Sequence, residues 1–173
     1  LATRRLGDGS PFDHGATLFE PVTASFRQRL ATWEADGLVE RVGVVPAGGR
    51  ENGSCAFRVR GPAGSVLYLP DVDKWERWSR RLEDEVAAVD IALLDGTFWS
   101  LEELPGRTAA EVPHPLMPQT MDALQGVVDR KQARVVLTHL NNSNPALDDG
   151  GPQQAEVARR GFEIAREGMI FQL

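Results

Sequence analysis

Leu67-Tyr68-Leu69-Pro70-Asp71-Val72-Asp73-Lys74-Trp75 drives an apolar run into a carboxylate and then into turn residues. The same pattern recurs in Ala92-Leu93-Leu94-Asp95-Gly96-Thr97-Phe98, and Leu137-Thr138-His139-Leu140-Asn141-Asn142-Ser143-Asn144-Pro145 ends its run on a histidine. Between them lies Glu111-Val112-Pro113-His114-Pro115. A buried strand ending on an ionisable side chain presents a ligand or proton carrier at the rim of a sheet. An Asp, an Asp, a His and another His at successive tips point to half of a metal site. Asp71, Asp95, His114 and His139 are expected to converge on one cleft.

Working outward, Ile91 to Leu94 and Arg134 to Thr138 read as strands buried on both faces. Three more strands are expected at Val39 to Val45, Ala56 to Arg60 and Ser65 to Leu69, the last two joined as a hairpin through Gly61-Pro62-Ala63-Gly64. The series Leu18, Val22, Phe26, Leu30, Trp33 keeps helical steps of three and four, and Gly37-Leu38 has the form of its stop. Asp73-Lys74-Trp75-Glu76 has the spacing of a capping box, predicting a helix that buries Trp75, Trp78, Leu82, Val86 and Val89. Gly106 to Pro115 reads as an irregular loop. Leu116 to Val128 reads as a helix with Met121, Leu124 and Val128 inward. Pro152 opens a helix to about Arg160, ended by Gly161, and Gly168 to Leu173 is expected to close as a strand. Alternating strands and helices place the chain in the α/β class. Residues 1–15 read as a loop or ragged N-terminus and 16–173 as one domain; the opening Leu1-Ala2-Thr3 reads as the interior of a longer protein.

The 173 residues are 42% apolar, enough for a sizeable core, and the net charge of −6 argues against general nucleic-acid or membrane binding. Cys55 is the only cysteine, which excludes an intrachain disulfide and a cysteine zinc cluster and accords with a reducing cytoplasm. No apolar run approaches the roughly 20 residues that span a bilayer.

Each tip residue has a chemical and a structural reading. Asp71 is a metal ligand or serves the turn before the next helix. Asp95 sits in an Asp-Gly pair that an Asx-turn explains; as a site residue it is a candidate for catalysis. His114, held extended between Pro113 and Pro115, suits proton transfer, although a loop histidine is commonly a plain surface residue. His139 is a metal ligand at a strand exit or a core histidine bonded to a carbonyl; the neighbouring Asn141, Asn142 and Asn144 favour the site, since amides orient ligands. Trp33, Trp75, Trp78 and Trp99 fall mainly on helix faces and read as packing. Arg80-Arg81 and Arg159-Arg160 read as solvated pairs on helices, and Gly48-Gly49 lacks the Lys and Ser/Thr of a phosphate loop.

These blocks, with Glu103-Leu104-Pro105-Gly106-Arg107 and Ala165-Arg166-Glu167-Gly168-Met169, resemble the pyrroloquinoline quinone biosynthesis protein B family over about residues 38 to 173. The resemblance implies the C-terminal part of a metallo-β-lactamase-type αββα sandwich. It implies Asp71 at the bridging-Asp position and His139 at the last metal-His position, holding zinc or iron. It places His114 where related phosphodiesterases and tRNA-processing nucleases carry a catalytic loop histidine. The implied role is metal-dependent oxygenation or hydrolysis of a small-molecule or peptide-derived intermediate, or carriage of the cofactor. The superfamily's His-x-His-x-Asp-His string is absent, and Val44-Val45-Pro46 leads to Ala47 where a further histidine is normal. Two ligand positions therefore remain, and the expected partner is a missing N-terminal half or a second copy. The rival expectations are a phosphodiesterase-like hydrolase of the same superfamily and a degenerate, non-catalytic binding protein. His14, the one other histidine, has no ligand motif around it.

Overall fold

In a computed structural model of the chain, the residues described are Arg4–Arg5, Pro11–Phe12, 24–47 and 50–173. The elements in order are β1 (Arg4–Arg5), β2 (Pro11–Phe12), α1 (Ala24–Ala35), β3 (Val39–Ala47), β4 (Arg50–Arg60), β5 (Ser65–Leu69), α2 (Leu82–Ala87), β6 (Ile91–Asp95), α3 (Met117–Asp129), β7 (Arg134–Thr138), α4 (Pro152–Arg159) and β8 (Glu163–Ile164). β1 and β2 pair antiparallel with each other, within the stretch read from sequence as a loop. Leu18, Val22, His14 and Gly48-Gly49 lie outside the described residues.

Six strands form one sheet in the order β3-β4-β5-β6-β7-β8. β3, β4 and β5 are antiparallel, and β5, β6, β7 and β8 run parallel. The predicted hairpin joins β4 and β5, closed by Gly61 N–H donating to the Gly64 carbonyl at 2.8 Å. β4 begins at Arg50, earlier than its apolar residues indicate, because it pairs with β3 as far as Ala47. Parallel strands require crossovers, and two of them put the C-terminal ends of β5, β6 and β7 along one edge. The register Leu69, Leu94, Leu137 runs straight across those ends.

The core follows from the strands' period of two. Leu67 and Leu69, Ala92 and Leu94, and Val135 and Leu137 share a cluster with Trp78, Leu82, Val86, Met117, Met121, Leu124 and Val127. A smaller cluster joins Leu30 of α1 to Val39 and Phe57, with Trp33 and Val59 against it. α1 stops as expected: Gly37 takes φ 70°, and Leu38 N–H reaches back to the Trp33 carbonyl at 2.9 Å.

Several expectations are corrected. The capping box at Asp73 does not form. Asp73 is 4% exposed and pairs with Arg77, a charge-assisted contact that takes the acceptor a cap would need. A three-residue 3-10 turn, Trp75–Arg77, follows, and Trp78 is extended with ψ 135°, so the predicted long helix is reduced to α2. Trp78 and Leu82 nonetheless both enter the core as expected, at 5% and 4% exposure. On α3 the inward residue near the end is Val127 rather than Val128, which is only partly buried. The closing strand is Glu163–Ile164 and not the tail, because Gly161 at φ 82° turns α4 directly onto the edge of β7. The tail folds back instead, with Arg134 5.2 Å above the Phe171 ring. Trp75, Trp78 and Trp99 pack as expected, though none lies in an α-helix. Arg80 and Arg81 likewise precede α2, and Arg160 is not solvated but pairs with Asp122 at 2.8 Å, its side chain 15% exposed.

Trp78→Ala removes the largest side chain at the junction of sheet and helices and is expected to cost about 3–5 kcal/mol. Denaturant melts measure this, and a change below about 0.5 kcal/mol would contradict the packing described.

Candidate metal centre

Asp71 stands two residues beyond β5, Asp95 ends β6, His139 follows β7, and His114 comes from the loop before α3. Each offers a ligand atom, and these atoms all lie within 4.8 Å of one another. The four tip residues expected to converge therefore do so.

Asp95 sits at the centre, fully buried. Its Oδ1 accepts from the Thr97 N–H at 2.9 Å and the Thr97 hydroxyl at 2.8 Å. Its Oδ2 accepts from the Val72 N–H at 3.1 Å and lies 2.8 Å from His114 Nδ1. The Asx-turn and the site thus use the same carboxylate, through different oxygens. Asp71 is the opposite case. Its side chain is 14% exposed, none of the described residues donates a hydrogen bond to it, and its Oδ1 lies 4.0 Å from His114 Nδ1. A largely buried carboxylate with no donor is the arrangement a cation would satisfy, and carboxylates with imidazoles suit zinc or iron.

His114 is located by its surroundings rather than by its prolines alone. Val112 is 1% exposed and anchors the loop, and the Lys74 ammonium donates to the His114 carbonyl at 3.0 Å. Phe98 meets the imidazole edge-on at 5.7 Å, and Met117 N–H bonds the Phe98 carbonyl at 2.8 Å, fixing the start of α3. His139 has φ 61°, a left-handed conformation uncommon outside glycine and asparagine. The turn carries the chain off β7 so that Leu140 returns to the core and Asn141 N–H reaches the Thr97 carbonyl at 2.9 Å. The two imidazoles end with centroids 5.6 Å apart.

The asparagines do other work than expected. Asn144 is 2% exposed, and its amide donates to the carbonyls of Gly96 and Thr97 at 3.0 and 3.2 Å. It therefore ties the β6 turn to the loop beyond β7. Asn141 donates to Ser143, whose hydroxyl donates to Glu103. The residue not singled out from sequence is Thr97, 2.9 Å from His139 Nδ1 and 3.1 Å from His114 Nδ1. Its one sequence signal is its place two residues after Asp95, where an Asx-turn partner falls.

A profile of the beta-lactamase superfamily domain matches residues 7–140. The chain belongs to that family. It is 33% identical over 116 residues to the coenzyme PQQ synthesis protein B of Azotobacter vinelandii, covering 64% of this chain and 37% of that protein. It is 36% identical over 114 residues to the protein of the same name from Cupriavidus necator, covering 61% of this chain and 35% of that one. The chain thus spans little more than a third of the length of these relatives. The crystal structure of zinc-bound PqqB from Methylobacterium extorquens is similar with a TM-score of 0.60 and 21% identity, covering 70% of this chain and 42% of that one. The six-stranded α/β architecture is accordingly of the metallo-β-lactamase type. No helix among the described residues is long and apolar enough to cross a membrane.

Within this cluster, burial disfavours the charged form of His114. The hydrogen bond to Asp95 and the charges of Asp95, Asp71 and Asp73 outweigh that burial and raise its pKa above the usual imidazole value. A raised histidine pKa stabilises the fold fully below the unfolded value of about 6.5, and that gain is lost as pH rises through the folded value. In the metal-free chain, NMR titration of His114 is expected to give a midpoint above about 6.5. Asp95→Asn should lower it, since burial remains while the principal counter-charge goes. An unchanged midpoint in that variant would contradict the assignment.

Proposed function

We propose that this chain supplies the carboxylate-and-histidine side of a metal-dependent centre in a protein of pyrroloquinoline quinone synthesis. Asp71 and His139 are the metal ligands, and Asp95 and His114 form the proton-handling pair. The observation that carries this reading is the meeting of four donors within 4.8 Å from four separate stations along one sheet edge. The likeness to PQQ synthesis proteins supports the pathway, and a small-molecule or peptide-derived intermediate is the substrate class, acted on by oxygenation or hydrolysis. A cytoplasmic location is part of this reading, with which the single cysteine, Cys55, accords.

A zinc or iron ion held here supplies Lewis acidity and acidifies a water bound to it. Asp71 offers the carboxylate to which no described residue donates, and His139 enters from the end of β7, on the far side of β6. His114, fixed by Asp95, holds a proton beside them for delivery to substrate or acceptance from it. Catalytic zinc normally has three protein ligands and an open position. Two ligands fall short of that, so the rest come from outside the described residues, on a further segment or a second copy.

A second reading, a phosphodiesterase-like metallo-hydrolase, draws on the Asp95–His114 hydrogen bond, since an imidazole held by a carboxylate suits protonation of a leaving oxygen. Substrate turnover separates the two; metal binding is common to both.

With two ligands from the described residues, the purified 173-residue chain is expected to hold substoichiometric metal after extensive dialysis and to be inactive alone. Elemental analysis checks this. Added zinc should bind weakly and be abolished by His139→Ala. One or more tightly held ions per chain, lost on that substitution, would mean a self-contained centre. No zinc binding even at high added metal would favour a non-catalytic relative.

A further inference from the structure

We propose that Thr97 is a positioning residue that sets the tautomer of His139, fixing its proton on Nδ1 and leaving Nε2 as the metal-binding lone pair. The inference rests on His139 being a ligand, as argued above, and adds a residue that touches neither metal nor substrate.

It follows from counting donors. A threonine hydroxyl has one proton and two lone pairs, and an ionised carboxylate only accepts. The Thr97 hydroxyl lies 2.8 Å from Asp95 Oδ1, which is fully buried and can only receive that proton. The hydroxyl then has nothing left to donate. His139 Nδ1, 2.9 Å away, can bond to it only by carrying a hydrogen. The same holds for His114 Nδ1, 3.1 Å from Thr97 Oγ1 and 2.8 Å from Asp95 Oδ2, two acceptors that share one N–H. A neutral imidazole protonated at Nδ1 has its lone pair at Nε2. Thr97 is held for this by its own backbone: its N–H bonds Asp95 Oδ1, and its carbonyl accepts from Asn141 and Asn144. It is 6% exposed, so water does not compete for the hydroxyl.

The test is the tautomeric state of His139 and His114, read by long-range proton–nitrogen correlation spectra of the metal-free chain at a pH where both rings are neutral. Both rings are expected in the Nδ1–H form. In Thr97→Val, His139 should lose that preference, and its affinity for Zn2+ alone should fall by about 10–100-fold. Thr97→Ser, which restores the hydroxyl, should recover both. A wild-type His139 carrying its proton on Nε2 overturns the inference without any variant, so a misfolded Thr97→Val does not leave the question open. A Thr97→Val chain with wild-type tautomer and zinc affinity also overturns it. If that occurs while His139→Ala abolishes zinc binding, the metal-centre reading stands and this inference alone fails. If no form binds zinc, the metal-centre reading fails, and the metal-free spectra still decide the role of Thr97.

Discussion

One buried carboxylate organises this end of the molecule. Asp95 has no contact with solvent, yet all four of its close contacts come from other parts of the site: the chain leaving β5, the turn after β6 and the loop carrying His114. A carboxyl group in that position is tolerated only while such partners surround it, so its solvation is replaced by protein donors. Each partner is in turn located by Asp95. Without it the three segments would share a sheet edge but have no common anchor point.

The same edge explains why the centre is mixed in character. Asp95 is saturated by donors and works through geometry, whereas none of the described residues donates to Asp71. His114 stands between them, 2.8 Å from one and 4.0 Å from the other. The carboxylate most deeply buried is thus the least available to a cation, and the more accessible one is the better ligand. Gly96 belongs to this arrangement too. A side chain there would meet the Leu137 Cβ at 3.0 Å and the Thr138 carbonyl at 3.2 Å, forcing β6 and β7 apart beneath the centre.

The strand tips were legible in the sequence because apolar runs ending on Asp or His leave a local signature, as at Leu94-Asp95 and Leu137-Thr138-His139. Family motifs over the same stretches fixed the fold type. Thr97 was missed because its importance lies in contacts to residues 17 and 42 positions away, which no local pattern records. The capping box at Asp73 failed for a related reason. Its spacing is right, but Asp73 is buried and its carboxylate is taken by Arg77. The tail was misread because its apolar residues signalled a strand, while the edge of β7 was already occupied by Glu163–Ile164. Local periodicity describes what a segment can do; the available partners decide what it does.

The parallel half of the sheet has a consequence for how the protein reaches its native state. Asp71, Asp95 and His139 are brought together only through crossover connections, so these three do not meet until β5, β6 and β7 have paired, while His114 lies within the segment that joins β6 to β7. Non-local pairing of this kind is slow to nucleate, since loop closure precedes any reward from contact. An ion that needs two or more of these side chains at once therefore meets no assembled site in the unfolded chain. It would act on the finished sheet, lengthening the lifetime of the folded state rather than guiding the chain toward it.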